Sequence, residues 1–360
     1  MSEVRRTQVL VVGAGQAGLA AGYYLRRAGL DFAILDAAVT PGGAWQHYWD
    51  SLRLFSPVGY SSLPGRPMPH QAGLGAPPGR QAGGEWPDAA HVADYLAEYE
   101  KRYELPIHRP VRVLTVENTT DGGLLAHTDD GDWHAEALVS ATGTWWRPFI
   151  PAVPGRELFA GRQLHTRDYR TAGDFSGRRV VVVGGGNSGA QIAADLTTCA
   201  AAVRWVTRRP ARFLPDEIDG RTLFELATRR VQADGPRISD LGDIVAVPPV
   251  RAARDRALLH DHRMFDALTP TGPRFADGTV WPADAVIWCT GFRPTLAHLA
   301  PLGLRTGERG RIDTVGTCAT ADPRIHLLGY GDWTGPASAT LIGVGRTARQ
   351  AVAEIADRLR

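Results

Sequence analysis

Two stretches of this 360-residue chain repeat one another: VVGAGQAGLA at residues 11–20 and VVVGGGNSGA at residues 181–190. Each is a run of apolar, mostly β-branched residues that enters a G-x-G-x-x-G loop and leaves it in helix-forming text. A buried strand feeding such a loop uses the first glycine for the tight turn. The second lets the backbone approach a pyrophosphate, and the third lets helix and strand pack closely. The helix N-terminus then offers free N–H groups and a partial positive charge to the phosphates. One copy is a weak signal. Two copies about half a chain apart predict an α/β protein with two Rossmann-like dinucleotide-binding domains.

The two copies differ at the end of their second strand. In the first, the glycines are Gly13, Gly15 and Gly18, and the strand ends at Asp36, twenty-three residues after Gly13. There a carboxylate accepts hydrogen bonds from a ribose 2′-OH. In the second, Gly184, Gly186 and Gly189 enclose Asn187 and Ser188, and the same count from Gly184 reaches Thr207, followed by Arg208 and Arg209. A carboxylate at that place repels a 2′-phosphate, whereas a planar guanidinium grips one. The first loop therefore suits an unphosphorylated ribose and the second suits NADPH.

The duplication extends further. DGDWHAEALVSATGTWWRP at 130–148 resembles DGTVWPADAVIWCTGFRP at 277–294: an Asp-Gly turn, an apolar strand ending in Thr-Gly, then Arg-Pro. Each half is expected to close with a hairpin and a returning strand. The expected division is a discontinuous first domain, 1–152 and 284–360, with the second, 153–283, inserted in it. Helices are expected near Asp88–Tyr103, Arg221–Val231 and Ala337–Leu359.

Composition excludes several other classes. The three cysteines, Cys199, Cys289 and Cys318, form no C-x-x-C and no even-numbered framework, which argues against a disulfide scaffold, a zinc site or a dithiol pair. Lys101 is the only lysine among 40 basic residues, the arginines are dispersed, and the net charge is +2. No nucleic-acid surface is expected. No apolar run approaches 18 residues, so no membrane span is expected. The N-terminal text reads as a first strand, not a signal peptide, and predicts a cytoplasmic protein.

On these motifs the chain resembles, over nearly its whole length, the two-dinucleotide flavoproteins of the flavin-containing monooxygenase superfamily. The resemblance implies FAD on the first loop, with Gly43 and Trp45 of PGGAW and Asp332 of LLGYGDWTG beside it, and NADPH on the second. FAGRQLHTRDYR fits the fingerprint FxGxxxHxxx(Y/F) with Phe159, Gly161, His165 and Tyr169. It lacks the Trp-Pro of the Baeyer–Villiger version. His165 is read either as an organiser of the domain junction or as a satisfied structural histidine. Longer stretches, such as GAWQHYWDSLRLFSPVGYSSLPG, look most similar to arsenic-operon-associated flavin monooxygenases.

One departure from the family pattern is visible: an Asn near the flavin is replaced by Phe55. The implied activity is an NADPH-consuming monooxygenase that forms a C4a-hydroperoxyflavin and oxygenates a soft nucleophilic centre, including trivalent arsenic or a related metalloid. Such chemistry needs no general base, and no catalytic side chain is singled out. Phe55 keeps open an NADPH oxidase or flavin reductase, and a third reading is a non-catalytic NADPH-sensing flavoprotein. The expected partners are a small-molecule substrate and dioxygen, with the oligomeric state unspecified.

Overall fold

The computed structural model describes residues 4–71, 86–216, 222, 244–307 and 310–360. The helix expected near Arg221–Val231 lies outside them, apart from Thr222. Strand β1 (Arg5–Val12) is followed by helix α1 (Gln16–Ala28) and strand β2 (Phe32–Leu35). The last four residues of β1 and all of β2 are buried, as strands covered on both faces must be. Helix α1 ends where Gly29 adopts φ 68° and returns its N–H to Arg26 and Leu25. Helix α2 (Ala89–Arg102) starts at Asp88, whose carboxylate accepts the His91 N–H. Then come β3 (Ile107–His108), β4 (Val113–Asn118), β5 (Leu124–Thr128) and β6 (Trp133–Ser140).

The second half repeats the plan. It has β7 (Arg162–His165), β8 (Arg179–Val183), helix α3 (Asn187–Leu196) and β9 (Ala202–Thr207). Helix α4 (Pro248–Asp255) and β10 (Asp261–Arg263) follow, then the hairpin β11 (Ala267–Thr269) and β12 (Gly272–Arg274), and β13 (Ala285–Trp288). The chain then supplies β14 (Thr314–Val315), β15 (Cys318–Ala319), β16 (Asp322–Leu327) and helix α5 (Leu341–Leu359). Helix α5 begins at Thr340, not near Ala337. The Thr340 hydroxyl accepts the Gly343 N–H, and Ala337 sits at φ 58°, which no helical residue adopts.

Among the described residues the larger sheet runs β14-β15-β16-β6-β1-β2-β3, with β5 also paired to β6 and β4 paired to β5. Strands β16, β6, β1, β2 and β3 are parallel. The second sheet, β10-β9-β8-β13-β7, is parallel throughout. The expected boundary between 283 and 284 is corrected by this topology. Residues 285–288 pair with both β7 and β8, so the last strand of the inserted body lies beyond that boundary. Their hydrophobic run needs the second sheet, where all four residues are buried.

The repeated Thr-Gly…Arg-Pro segments become the two connections between the bodies, and they pair with each other. Phe149 donates to the Gly291 carbonyl at 2.9 Å, Arg293 to Arg147 at 2.8 Å, and Thr295 to Gly143 at 3.0 Å. The bodies are joined at a second place. Trp49, Leu52 and Ala89, which come from the first half of the chain, belong to the core formed by Val180, Val182, Ile192 and Ile287 of the second sheet. Gln191 of α3 locks this contact, accepting the Arg53 N–H at 3.0 Å and donating to the Arg53 carbonyl at 2.9 Å.

Candidate active site

Both glycine loops sit at the C-terminal ends of parallel strands, where open α/β sheets bind ligands. Gly13 adopts φ 102°, and a Cβ there would lie 2.7 Å from the Ala141 carbonyl oxygen; at Gly18 it would lie 1.8 Å from that of Gly13. Gly184 and Gly189 are blocked in the same way, by the carbonyl oxygens of Cys289 and Gly184, each at 2.2 Å. The middle glycines are different. A Cβ at Gly15 or Gly186 would meet no protein atom within 4 Å. Packing therefore explains the outer glycines, and room for a ligand explains the inner ones.

Helices α1 and α3 also begin without a side-chain cap, whereas α2 and α5 have one. Their first N–H groups are left for an anion. Ser188 makes no side-chain hydrogen bond among the described residues, while Asn187 uses its Oδ1 to accept the Val245 N–H at 2.9 Å. These features fit a dinucleotide diphosphate at each loop.

Asp36 lies just past β2 and is buried. Its Oδ2 is held by Arg109 at 2.9 and 3.1 Å, and its Oδ1 faces the Ala38 N–H at 3.4 Å. Arg109 also grips Glu100 of α2. Burial opposes that guanidinium charge, but the bonds to Glu100 and Asp36 outweigh it and raise its pKa. Sequence reasoning missed Arg109 and Glu100, because nothing local to either points at Asp36. Gly43 stacks on the first loop, where a Cβ at φ 56° would lie 2.9 Å from the Gly15 Cα. Gln16 ties the surroundings together, accepting from Trp45 Nε1 at 3.0 Å and donating to the Ala339 carbonyl at 2.7 Å. Asp332 follows β16 at the exposed start of a short turn, with Oδ1 facing the Ala337 N–H at 3.4 Å.

On the second loop, Arg208 and Arg209 are exposed and pair with no carboxylate among the described residues. The strand end is not free of acid, however. Asp261 of the neighbouring β10 accepts the Thr207 hydroxyl at 3.1 Å and the Ala211 N–H at 3.0 Å, pinning the turn that carries both arginines.

Between the loops runs an aromatic wall. Trp45 meets Tyr48 at 5.2 Å between ring centroids, and Tyr48 meets Trp145 at 4.5 Å. Trp145 stacks on Phe292 at 5.2 Å, and Phe292 meets His165 edge-on at 4.8 Å. Burial pushes the Tyr48 phenol up to about 12 and the Cys289 thiol, beside the second loop, up to about 12. Neither ionises near neutral pH. Trp145 Nε1 of this wall, Thr295 Oγ1 of the connection behind it and Nε1 of Trp49, whose ring lies 5.7 Å from Tyr48, are buried without a partner among the described residues.

His165 is fully committed. Its Nε2–H donates to the Gly291 carbonyl at 2.9 Å, and its Nδ1 accepts the Arg167 N–H at 3.2 Å. Burial lowers its pKa, so the neutral ring is the working form. Phe55 is half-buried against the same core that Trp45 and Tyr48 touch. Two open cavities, of about 570 and 520 Å³, are lined by Arg6, His134 and Arg358 and by Arg162, Arg178 and Ala285. They lie at the N-terminal ends of the strands, the wrong edge for these loops.

The profile of the pyridine nucleotide-disulphide oxidoreductase family matches residues 10–219, more than half of the chain. The flavin-containing monooxygenase from Stenotrophomonas maltophilia superposes with a TM-score of 0.88 at 47% identity, covering 99% of this chain and 100% of that one. The chain is a flavin monooxygenase of that family. A curated relative from Bacillus velezensis, the uncharacterized oxidoreductase CzcO, is 30% identical over 96% of this chain and 98% of its own length. The rice indole-3-pyruvate monooxygenase YUCCA8 is 27% identical over 97% of this chain and 90% of its own. As a member of this family the protein is an FAD- and NADPH-using oxidoreductase. No helix among the described residues is long and apolar enough to cross a membrane.

Proposed function

We propose that this flavin monooxygenase consumes NADPH to transfer one atom of dioxygen to a soft nucleophilic centre in a small molecule: sulfur, nitrogen, trivalent arsenic or a related metalloid. In balance, NADPH, a proton, dioxygen and the substrate give NADP⁺, water and the oxygenated product. The observation that carries the reading is the aromatic wall set between two uncapped glycine loops, with His165 already spent on the backbone. FAD, when bound, supplies the hydride acceptance and the oxygen activation.

The chain's own residues do the rest. Gly13, Gly15 and Gly18 with the α1 N-terminus hold the FAD diphosphate, and Asp36 presents its freer oxygen to the ribose. Gly43, Trp45 and Asp332 bound that site. Gly184, Gly186, Ser188 and Gly189 hold the NADPH diphosphate, and Arg208 and Arg209 take its 2′-phosphate. The wall of Tyr48, Trp145 and Phe292 excludes water from the space between the loops. His165 keeps the Gly291 connection in place; with both ring nitrogens engaged, it moves no proton. The proposed division has a first domain carrying FAD and an inserted domain carrying NADPH. Three unpaired cysteines fit a cytoplasmic setting. Arsenic enters this reading as substrate: among the described residues no group of three or more His, Cys, Asp or Glu side chains is placed to hold a metal ion.

A second reading, an NADPH oxidase or flavin reductase, is favoured by Phe55, which donates no hydrogen bond where the family places an Asn. One assay separates the two. NADPH consumption and hydrogen peroxide release are followed with arsenite, methylated trivalent arsenicals, thioethers and amines. Monooxygenation predicts an oxygenated product and peroxide that falls as substrate is added. Peroxide that stays equal to NADPH consumed, with no product from any compound, supports the oxidase.

A further inference from the structure

The wall has an exposed end that the reading above leaves without a task. Trp146, next to buried Trp145, is 52% exposed. The Arg167 guanidinium lies 4.8 Å from the Trp146 ring centroid, and His47 meets that ring at 5.2 Å, nearly edge-on. His47 closes the same short turn that begins at Gly43, whose neighbour is the first loop. Arg167 follows His165 by two residues. The spot therefore stands where the two bodies meet, at the outer end of the rings between the loops.

Its charge is one-sided. Arg170 donates to the backbone carbonyls of Arg167 and Tyr169 at 2.7 and 2.9 Å, and among the described residues neither Arg167 nor Arg170 pairs with a carboxylate. Arg147 and Arg293 come from the paired connections; the first binds the Pro294 carbonyl and the second lies 4.0 Å over Phe149. The nearby acids are Asp168, which accepts the His165 N–H at 3.3 Å, and Asp50, whose backbone N–H meets the Arg170 carbonyl at 3.1 Å. Burial lowers the pKa of His47, and the charges of Arg170 and Arg167 lower it further.

We infer that Trp146, His47, Arg167 and Arg170 form a receptor for a planar aromatic substrate that carries an anionic group. This rests on the reading that the wall borders the oxygen-transfer site. Trp146 is half exposed beside Arg167 and His47, so a flat ring can add to this cluster by stacking on the indole. With its carbon 4.8 Å over the Trp146 ring, the Arg167 guanidinium can stack on the indole and still offer N–H groups to a carboxylate, a combination an ammonium does not allow. The same field repels a protonated amine. The competing use of these arginines is the diphosphate of NADPH, and the experiment separates the two.

Three thioethers with one reacting sulfur serve as probes: para-(methylthio)benzoate, thioanisole and para-(methylthio)benzylamine. Binding to the FAD-loaded protein is followed by tryptophan fluorescence, and sulfoxide formation is measured separately. The benzoate is expected to bind tightest and the benzylamine weakest, and only the benzoate should weaken as salt rises. Arg167→Met should weaken the benzoate about tenfold and thioanisole less than about twofold, and Arg167→Lys should keep part of the preference. The wild-type salt dependence does not depend on how either variant folds. Equal binding of the three probes overturns the inference. So does a loss on Arg167→Met that falls on the KM for NADPH and leaves the benzoate untouched, since the arginine then serves the cofactor. Selective binding without any sulfoxide would instead count against oxygen transfer and leave the receptor standing.

Discussion

Arg208 and Arg209 follow the last residue of β9 on a turn that Asp261 pins through Thr207 and Ala211. Among the described residues neither arginine pairs with a carboxylate. Replacing both by glutamine should therefore leave stability nearly unchanged and remove contacts worth about 1.5–3 kcal/mol each to a phosphate. The loss should appear in kcat/KM for NADPH and much less for NADH; equal losses would show that they do not read the 2′-phosphate. Phe55 is a packing residue by its contacts and a departure by its chemistry. If it borders the flavin, Phe55→Asn adds a donor there and should lower the peroxide released per NADPH consumed. An unchanged ratio, with only a fall in Tm, would make Phe55 core and nothing more. Asp36 shows where reading by position stops. Its place at the strand end was visible in the spacing from Gly13. Its pairing with Arg109 was not, because the two are 73 residues apart and meet only once β3 lies beside β2.

At the scale of elements, the strand–loop–helix units were legible because their chemistry is local: glycines where backbone blocks a Cβ, apolar runs where both sheet faces are covered. The boundary near residue 284 was misplaced because the run Ala285–Trp288 suits either sheet, and only pairing with β7 and β8 decides between them. The aromatic wall was invisible for a different reason. Its rings come from four separate segments that no periodicity links. Contacts between elements are also where substitution should be felt. Gly43 is in the left-handed region, and a side chain there would press on the Gly15 backbone. Gly43→Ala should displace the first loop and yield folded protein with little bound FAD, read as flavin absorbance per chain. Full flavin occupancy would show that the loop yields without cost. Gln191→Leu leaves the Arg53 N–H and carbonyl unpaired at the contact between bodies, a loss of about 1–3 kcal/mol per group. Thermal unfolding should register it.

For the whole molecule, two buried histidines make stability depend on pH. Burial depresses His298 to about 4, and burial aided by Arg358 depresses His326 to about 4, from an ordinary 6.5. Between those values the unfolded chain binds protons that the folded chain refuses. Their stabilising effect is therefore complete above pH 6.5 and is lost as the pH falls toward 4, by up to about 3 kcal/mol for each histidine. His326→Gln should flatten the fall of Tm over that interval; a slope parallel to wild type would show that His326 does not contribute. The central claim is that the two nucleotide loops and the wall between them deliver one oxygen atom to a substrate and do not merely reduce dioxygen. It is tested most directly with isotopically labelled dioxygen, NADPH and thioanisole. The account predicts sulfoxide carrying the label, formed in step with NADPH oxidation and with little peroxide. Unlabelled or absent sulfoxide, with peroxide matching the NADPH consumed, would contradict it.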